Sequence, residues 1–500
     1  MNTQTAVTSE SGVCDAIVIG AGMGGLGAAA QLQDDGLERV VVLEKASDLG
    51  GVWRDNTYPN VACDTPIDIY TYSFFPGRHW STNFAPGSEI VHYLREFASA
   101  HDVEKLITFD TEVRGCVWND KDGVWDITSV DGRSWRARFV VWSGGVLSQP
   151  LVPDLPGMDT FAGEMFHTAK WPKDLNLEGK TVAVVGGGAS AIQVVPFVAE
   201  TAEKAYSFIR TPSYVMPRPE EFYSEEQRAD PEFANQQKAR REAWMERFEF
   251  VTKSRFPMDL EVVLEQEAEW QKQFDKYITD PHLRKILTPD YRFGCKRPLF
   301  SNAYYQAMNN PSLTAIGDGI SEVFEGGLID NHGNRYSVDV IIWATGFDPA
   351  HMMGPLDVVG RDGRHLSDLW VDIPSAYYGT LVKGFPNFFL MGGPNAGGAS
   401  QSAFFESQLW LISEAIRKAG EADRTVVEVS GEVHDRFNER VQEMASESVL
   451  IRGNCVSFYL SDKTGGVFTH WPATIEKFED GVRKEAAETL TYGCASPAYT

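Results

Sequence analysis

The chain has few cysteines, no excess of positive charge and no long apolar run. Its six cysteines, Cys14, Cys63, Cys116, Cys295, Cys455 and Cys494, are scattered and form no CxxC pair. That pattern disfavours a structural zinc site, a disulfide framework and a dithiol redox centre. Reduced thiols in a cytoplasmic protein are the expectation, and no metal site is expected. The formal charge is -25 at pH 7, from 45 Lys and Arg against 70 Asp and Glu. Non-specific binding to nucleic acid or to an anionic membrane needs a basic face, so neither partner is expected. A local basic pocket for a phosphate is still compatible with this charge. No stretch approaches the roughly 20 apolar residues that span a bilayer. Met1–Gly12 is polar and lacks the apolar region of a secretory signal. Internal repeats and low-complexity tracts are also lacking. The remaining composition, 43% hydrophobic and 23% charged, is ordinary for a folded protein. A length of 500 residues leaves room for two or three domains.

Two glycine-rich turns dominate what is present. Residues 1–13 read as a disordered tail. Asp15–Ile19 then reads as a buried parallel strand, followed by Gly20-Ala21-Gly22-Met23-Gly24-Gly25 and a helix. In such a turn Gly20 allows the tight bend, Gly22 lets the backbone approach a pyrophosphate, and Gly25 lets helix pack on strand. The helix N-terminus supplies N–H groups and positive dipole. A second strand, Arg39–Leu43, ends in Glu44, 24 residues after Gly20, where an acid suits a ribose hydroxyl. The same plan recurs later. Strand Thr181–Val185 leads into Gly186-Gly187-Gly188-Ala189-Ser190-Ala191, a helix to about Thr201, and a strand Lys204–Ile209. That strand ends in Arg210-Thr211, with Arg210 again 24 residues after the first glycine. An acid there would repel a 2′-phosphate, whereas an arginine can bind it bidentately. The first site therefore reads as FAD-like and the second as NADP-like.

Between and beyond these turns lie further marked segments. Gly50-Gly51-Val52-Trp53 and Tyr58-Pro59-Asn60-Val61-Ala62-Cys63-Asp64 follow the first site, and the Tyr- and Phe-rich run 67–84 reads as core. Residues 88–101 read as an amphipathic helix and 111–141 as strands turning at Asp122-Gly123 and Asp131-Gly132. Phe161-Ala162-Gly163-Glu164-Met165-Phe166-His167-Thr168-Ala169-Lys170-Trp171-Pro172 joins the two sites and has the form FxGxxxHTxxWP. The stretch 217–291 is charged and helical, around Glu232–Lys253 and Glu261–Tyr277, with the charges expected on a solvated face. Gly294-Cys295-Lys296-Arg297-Pro298 returns the chain to the second site. Val338–Trp343 reads as a strand ending in Ala344-Thr345-Gly346-Phe347-Asp348, and Phe385–Leu390 as one ending in Gly392-Gly393-Pro394-Asn395. Cys455-Val456-Ser457-Phe458-Tyr459 and Trp471-Pro472 mark the C-terminal part.

Together these segments resemble the type I Baeyer–Villiger monooxygenases across roughly residues 14–480. The fingerprint positions Phe161, Gly163, His167, Thr168, Trp171 and Pro172 are all matched. One departure is Asn60, where the family has glycine; Asn tolerates positive φ well. The resemblance implies an α/β fold with two Rossmann-type dinucleotide-binding domains, for FAD and NADP, and a helical insertion that helps cover the active site. The implied partition is 1–150, 151–215, 216–290, 291–348 and 349–500, with the second unit inserted into the first. It implies Arg297 as the catalytic charge, oriented by Asp64, and Lys296 at the NADP phosphate. The cofactor-binding set is then Gly20, Gly22, Gly25, Glu44, Trp53 and Asp64 for FAD, and Gly186, Gly188, Ser190, Arg210, Thr211 and Lys296 for NADP. Thr345, Gly346 and Asn395 come from the later turns. The implied activity is NADPH- and O2-dependent conversion of a small ketone to an ester or lactone through an FAD C4a-peroxide. Oxygenation of nitrogen or sulfur, or a non-oxygenating NADP(H)-binding flavoprotein, are the alternatives. The identity of the ketone and the oligomeric state are left open.

Overall fold

Ala16, Ile17 and Val18 have no solvent exposure at all, as a strand covered on both faces requires. In the computed structural model they lie in the strand Cys14–Ile19, the middle of the first sheet. The structure describes residues 12–398 and 400–494; most of the segment expected to be a tail, residues 1–11, lies outside them. Cys14–Ile19 pairs in parallel with Val40–Leu43 on one side and Ser134–Trp142 on the other. Beyond Ser134–Trp142 the strands Val124–Ser129 and Val113–Asn119 run antiparallel. They form the hairpins expected from the Asp-Gly turns. Two later strands, Asp357–Val359 and Phe388–Leu390, join the same sheet in parallel. The chain therefore leaves this sheet after Trp142 and comes back to it two hundred residues later.

The second sheet is wholly parallel, in the order Leu313–Ile316, Lys204–Phe208, Thr181–Val185, Val340–Trp343, Glu164–His167. The fingerprint segment is thus more than a connector. Its residues Glu164–His167 form the edge strand of this sheet, in register with Val340–Trp343. Gly163 permits that approach, since a Cβ there would sit 2.2 Å from the Asp339 carbonyl oxygen.

Helices cover both sheets. Met23–Asp34 packs between the first sheet and the long helix Gln401–Glu421, with its alanines buried. Ala189–Thr201 lies on the second sheet. The charged stretch forms helices Glu232–Arg255, Leu260–Tyr277 and Pro281–Leu287. Asp259 and Asp280 accept backbone N–H groups at the starts of the last two, the usual remedy for unpaired helix donors.

Two expectations need correction. The charges of Glu232–Arg255 are not all on a solvated face. Arg240 pairs with the buried Asp68 carboxylate, and Arg241 donates to the carbonyls of Asp68 and Thr71 and pairs with Glu406. Glu249 accepts the backbone N–H of Ile475. This helix is clamped to the first unit by charge, because a buried carboxylate requires a partner. The cysteines are not all reduced either: Cys295 and Cys455 form a disulfide. They are 160 residues apart in sequence, so no spacing rule reveals the pair, but the fold brings their Cα atoms to 6.1 Å. Cys63 and Cys116 are buried thiols outside the bridge, and Cys494 is exposed. Among the described residues no helix is long and apolar enough to cross a membrane.

Candidate active site

At the first turn, Gly20 has φ +105°, and a Cβ there would meet the Ser143 carbonyl oxygen at 2.4 Å. At Gly25 a Cβ would lie 1.9 Å from the Gly20 carbonyl oxygen. Both positions therefore demand glycine, and both close the turn against the small-residue end of Ser134–Trp142. Gly22 caps the helix Met23–Asp34 without a side-chain hydrogen bond, leaving its first N–H groups for an anion. The Gly50-Gly51 turn folds onto it, with the Gly50 N–H donating to Ala21 O at 2.9 Å. Glu44 is buried at the strand end. It accepts the Ala21 and Ala46 N–H groups and pairs with Arg54 at 3.1 Å. Sequence reasoning missed Arg54, which holds this acid against the turn. Trp53 is half-buried, donates to Tyr70 Oη and meets that ring edge-on. Asn60 adopts φ 65°, so the left-handed turn survives the loss of glycine.

The second turn repeats the geometry. Gly186 has φ +138°, and a Cβ would strike the Ala344 carbonyl oxygen at 2.2 Å. Gly188 faces open space and heads the helix Ala189–Thr201, again without a side-chain cap. Ala191, in the third motif position, is fully buried. Arg210 is exposed at the end of the next strand, with Thr211 beside it. Lys296 reaches the same place. Burial, and then the nearby Arg210 charge, hold its ammonium below the ordinary value. Two cations facing one another at a glycine turn fit a dianionic phosphate, which relieves their repulsion. The two open turns, each with helix N–H groups free, fit two dinucleotides.

The two halves meet at residues 58–64. Tyr58 Oη lies 3.3 Å from Ser190 Oγ and donates to Gln193 Oε1 at 3.0 Å, while Gln193 Nε2 donates to the Ala62 carbonyl at 3.0 Å. Ser190 is thus placed in this link between the turns, and Gln193 is a residue that no sequence motif singled out. Two residues further on, Asp64 forms an ion pair with Arg297, which arrives from the other side. Asp64 is mostly buried, whereas the Arg297 side chain is 47% exposed. An arginine so held keeps one face open to solvent.

The fingerprint and the return connection are joined by hydrogen bonds. His167 accepts the Ala169 N–H at Nδ1, so its Nε2 carries the proton and donates to Gly346 O at 2.9 Å. Burial lowers the His167 pKa, consistent with a neutral ring. Gly346 has φ +84°, and its carbonyl also accepts the Leu151 N–H, while Thr345 Oγ1 donates to Leu151 O. Phe161 packs with the second sheet's core, and Trp171 meets Phe166 and Phe197 edge-on, with Pro172 half-buried beside it. Thr168 is buried. Asn395, at φ 57°, spends both amide hydrogens on the carbonyls of Val467 and His470. It ties the turn after Phe388–Leu390 to the C-terminal segment and leaves Oδ1 without a protein partner. Away from this centre, Asp318, Asp330 and His332 bring three candidate metal-ligand atoms together, but hydrogen bonds within their hairpin already occupy them.

The fold and site define a class: an α/β oxidoreductase with two dinucleotide turns and an arginine–carboxylate pair between them. The flavin-binding monooxygenase-like family matches residues 15–231. A Baeyer–Villiger monooxygenase of Streptomyces coelicolor is 38% identical over 473 residues, covering 93% of this chain and 90% of that protein. An oxidised steroid monooxygenase bound to NADP superposes with TM-score 0.86 at 29% identity, over 96% of this chain and all of that one. OTEMO in complex with FAD and NADP superposes with TM-score 0.87 at 26% identity, over 97% of this chain and all of that one. The chain belongs to the Baeyer–Villiger monooxygenase family.

Proposed function

We propose that the protein is an NADPH- and O2-dependent flavin monooxygenase that inserts one oxygen atom beside the carbonyl of a small ketone, giving an ester or lactone. The observation that carries this reading is the Asp64–Arg297 pair, assembled from segments on opposite sides of the two turns. FAD belongs at the first turn, held by Gly20, Gly22, Gly25 and Glu44 with the Gly50-Gly51 turn. NADP belongs at the second, held by Gly186, Gly188, Ser190, Arg210, Thr211 and Lys296. When bound, these groups supply hydride from NADPH and the electrons that activate O2. The chain's own residues supply alignment and charge. Arg297 stabilises negative charge that builds on the ketone oxygen, and it cannot quench that charge by donating its proton. Asp64 orients the guanidinium. His167 holds the Gly346 carbonyl and so ties the fingerprint strand to the connection that returns the chain to the first sheet. Two chain crossings, at 143–151 and 344–348, support the outer boundaries of the partition at about residues 150 and 348. A cytoplasmic location fits this dependence on NADPH, which metabolism regenerates there.

The test is product mass spectrometry under labelled O2, with FAD, NADPH, a panel of linear, cyclic and aromatic ketones, and one thioether. A labelled ester or lactone supports the reading; a labelled sulfoxide alone favours heteroatom oxygenation. Arg297→Ala is expected to abolish ester formation while NADPH still bleaches the flavin. Retained ester formation in that variant would sink the role given to Arg297.

A further inference from the structure

The segment carrying Arg297 is also held from behind, by contacts that belong to neither dinucleotide turn. Cys295, two residues before Arg297, is bonded to Cys455. The Arg292 N–H donates to Gly453 O at 2.9 Å, and Arg255 Nη2 donates to Gly294 O at 2.6 Å. Gly294 has φ +86°, and a Cβ there would come within 3.1 Å of Arg255 Nε. Gly453 lies so close that its Cβ would meet Cys295 Cβ at 2.7 Å. From Cys455 the chain continues to Tyr459, which packs on His470 with ring centroids 4.3 Å apart. The His470 carbonyl accepts Asn395 Nδ2. One continuous path thus leads from the backbone of Arg297 to the turn after the last strand of the first sheet. The disulfide is the covalent link in it.

We propose that the Cys295–Cys455 bridge is a positioning device for Arg297 that a dithiol reductant can open. The inference rests on the reading of Arg297 given above. Asp64 steadies only the tip of a long, half-exposed side chain. Its backbone must be fixed elsewhere. Without the bridge, the attachment to the C-terminal segment falls to noncovalent contacts, each individually weak. The bridge is reachable from one side. Cys295 is fully buried, whereas Cys455 is half-buried between the exposed residues Asn454 and Val456. A thiolate of the reductant attacks Cys455 Sγ, the protein S–S bond breaks, and Cys295 leaves as a thiolate and takes a proton. The reductant's second thiolate then displaces Cys455. Two electrons and two protons pass to the protein, and the reductant becomes a disulfide. Bridges in the cytoplasm of ordinary cells are mostly of this transient or sensing kind.

The experiment uses holoenzyme with FAD and NADP in three forms: as purified, treated with dithiothreitol, and as the Cys295→Ser/Cys455→Ser double variant. Thiol alkylation with mass spectrometry reads the bridge, and hydrogen exchange reads residues 292–300. Product formed per NADPH consumed, with a ketone the native enzyme oxidises, reads Arg297. Opening the bridge is expected to speed exchange at 292–300 and to lower product per NADPH by about tenfold, the scale of a misplaced catalytic group. Flavin reduction by NADPH should persist. Reoxidation should restore the wild-type chain and not the variant. Six free thiols in the purified protein would overturn the proposal. So would a lower Tm with unchanged exchange and unchanged product per NADPH, which is the signature of a merely structural bridge. Failure of the bridged enzyme to oxygenate any ketone overturns the reading of Arg297 and this proposal with it; unchanged coupling on opening overturns the proposal alone.

Discussion

At the scale of single residues, the second turn gathers positive charge that a phosphate would balance. Burial first, and then repulsion from Arg210, hold the Lys296 ammonium below its ordinary value, and the proposed 2′-phosphate would relieve that repulsion. Arg210→Ala should therefore raise the KM for NADPH by about 10- to 100-fold, the effect of losing a charge-assisted hydrogen bond, with the KM for NADH nearly unchanged. Steady-state kinetics with both nucleotides checks this; equal losses for both would mean that Arg210 does not touch the phosphate. The buried histidines bear on pH. His470 is pushed down to about 3, by burial first and then by Arg255 and Arg297, and burial lowers His167 too. Below the ordinary histidine value of 6.5 the unfolded chain takes up protons that the folded chain refuses. These two residues thus contribute stability that is present above pH 6.5 and lost as pH falls toward the folded values. His167→Gln keeps a polar side chain without titration and should flatten the fall of Tm between pH 7 and 5. An unchanged slope would show that His167 is not neutral by design of its surroundings.

At the scale of elements, the helix Glu232–Arg255 illustrates how charge can dock rather than solvate. Its Arg240 meets Asp68, whose side chain is 1% exposed. Arg240 also lies over the Phe233 and Tyr223 rings, at 4.7 and 5.1 Å. Arg240→Ala leaves a buried carboxylate short of its main partner, which costs about 3 kcal/mol. Urea titration should show that loss, and proteolysis within 232–255 should speed up. A change within error in both would mean that Arg241 alone holds the helix. Elements defined by glycine turns were legible beforehand. Gly20 and Gly186 sit where backbone sterics admit almost nothing else, so the residue type betrays the geometry. Asn60 was legible for the same reason, since its side chain tolerates the φ of 65° the turn needs. The docking of Arg240 was not, because a charged helix has the same sequence whether water or Asp68 faces it.

At the scale of the molecule, the question is how two nucleotide turns on separate sheets are kept in register. Tyr58 and Gln193 form a direct bridge between the loop of Asp64 and the helix of the second turn. Gln193→Leu removes both of its hydrogen bonds at little change in size. The variant is expected to keep its FAD but to be reduced by NADPH about tenfold more slowly, as misalignment by a fraction of an ångström implies. Stopped-flow bleaching of the flavin measures this; an unchanged rate would locate the alignment in the fingerprint strand instead. Much of this architecture was readable in advance: strands bounding both turns and the acid and the arginine that end their second strands; the partnership of Arg297 with Asp64 came only from the family resemblance. The sequence by itself determined the local geometry of the turns and the chemistry offered at each, because these depend on residues within one turn of chain. Only the tertiary structure decided that the fingerprint forms an edge strand, that Gln193 reaches Ala62, and that Cys295 meets Cys455. Those contacts join residues more than a hundred positions apart or place one strand beside another, and a local pattern carries no record of which distant surface will pack against it.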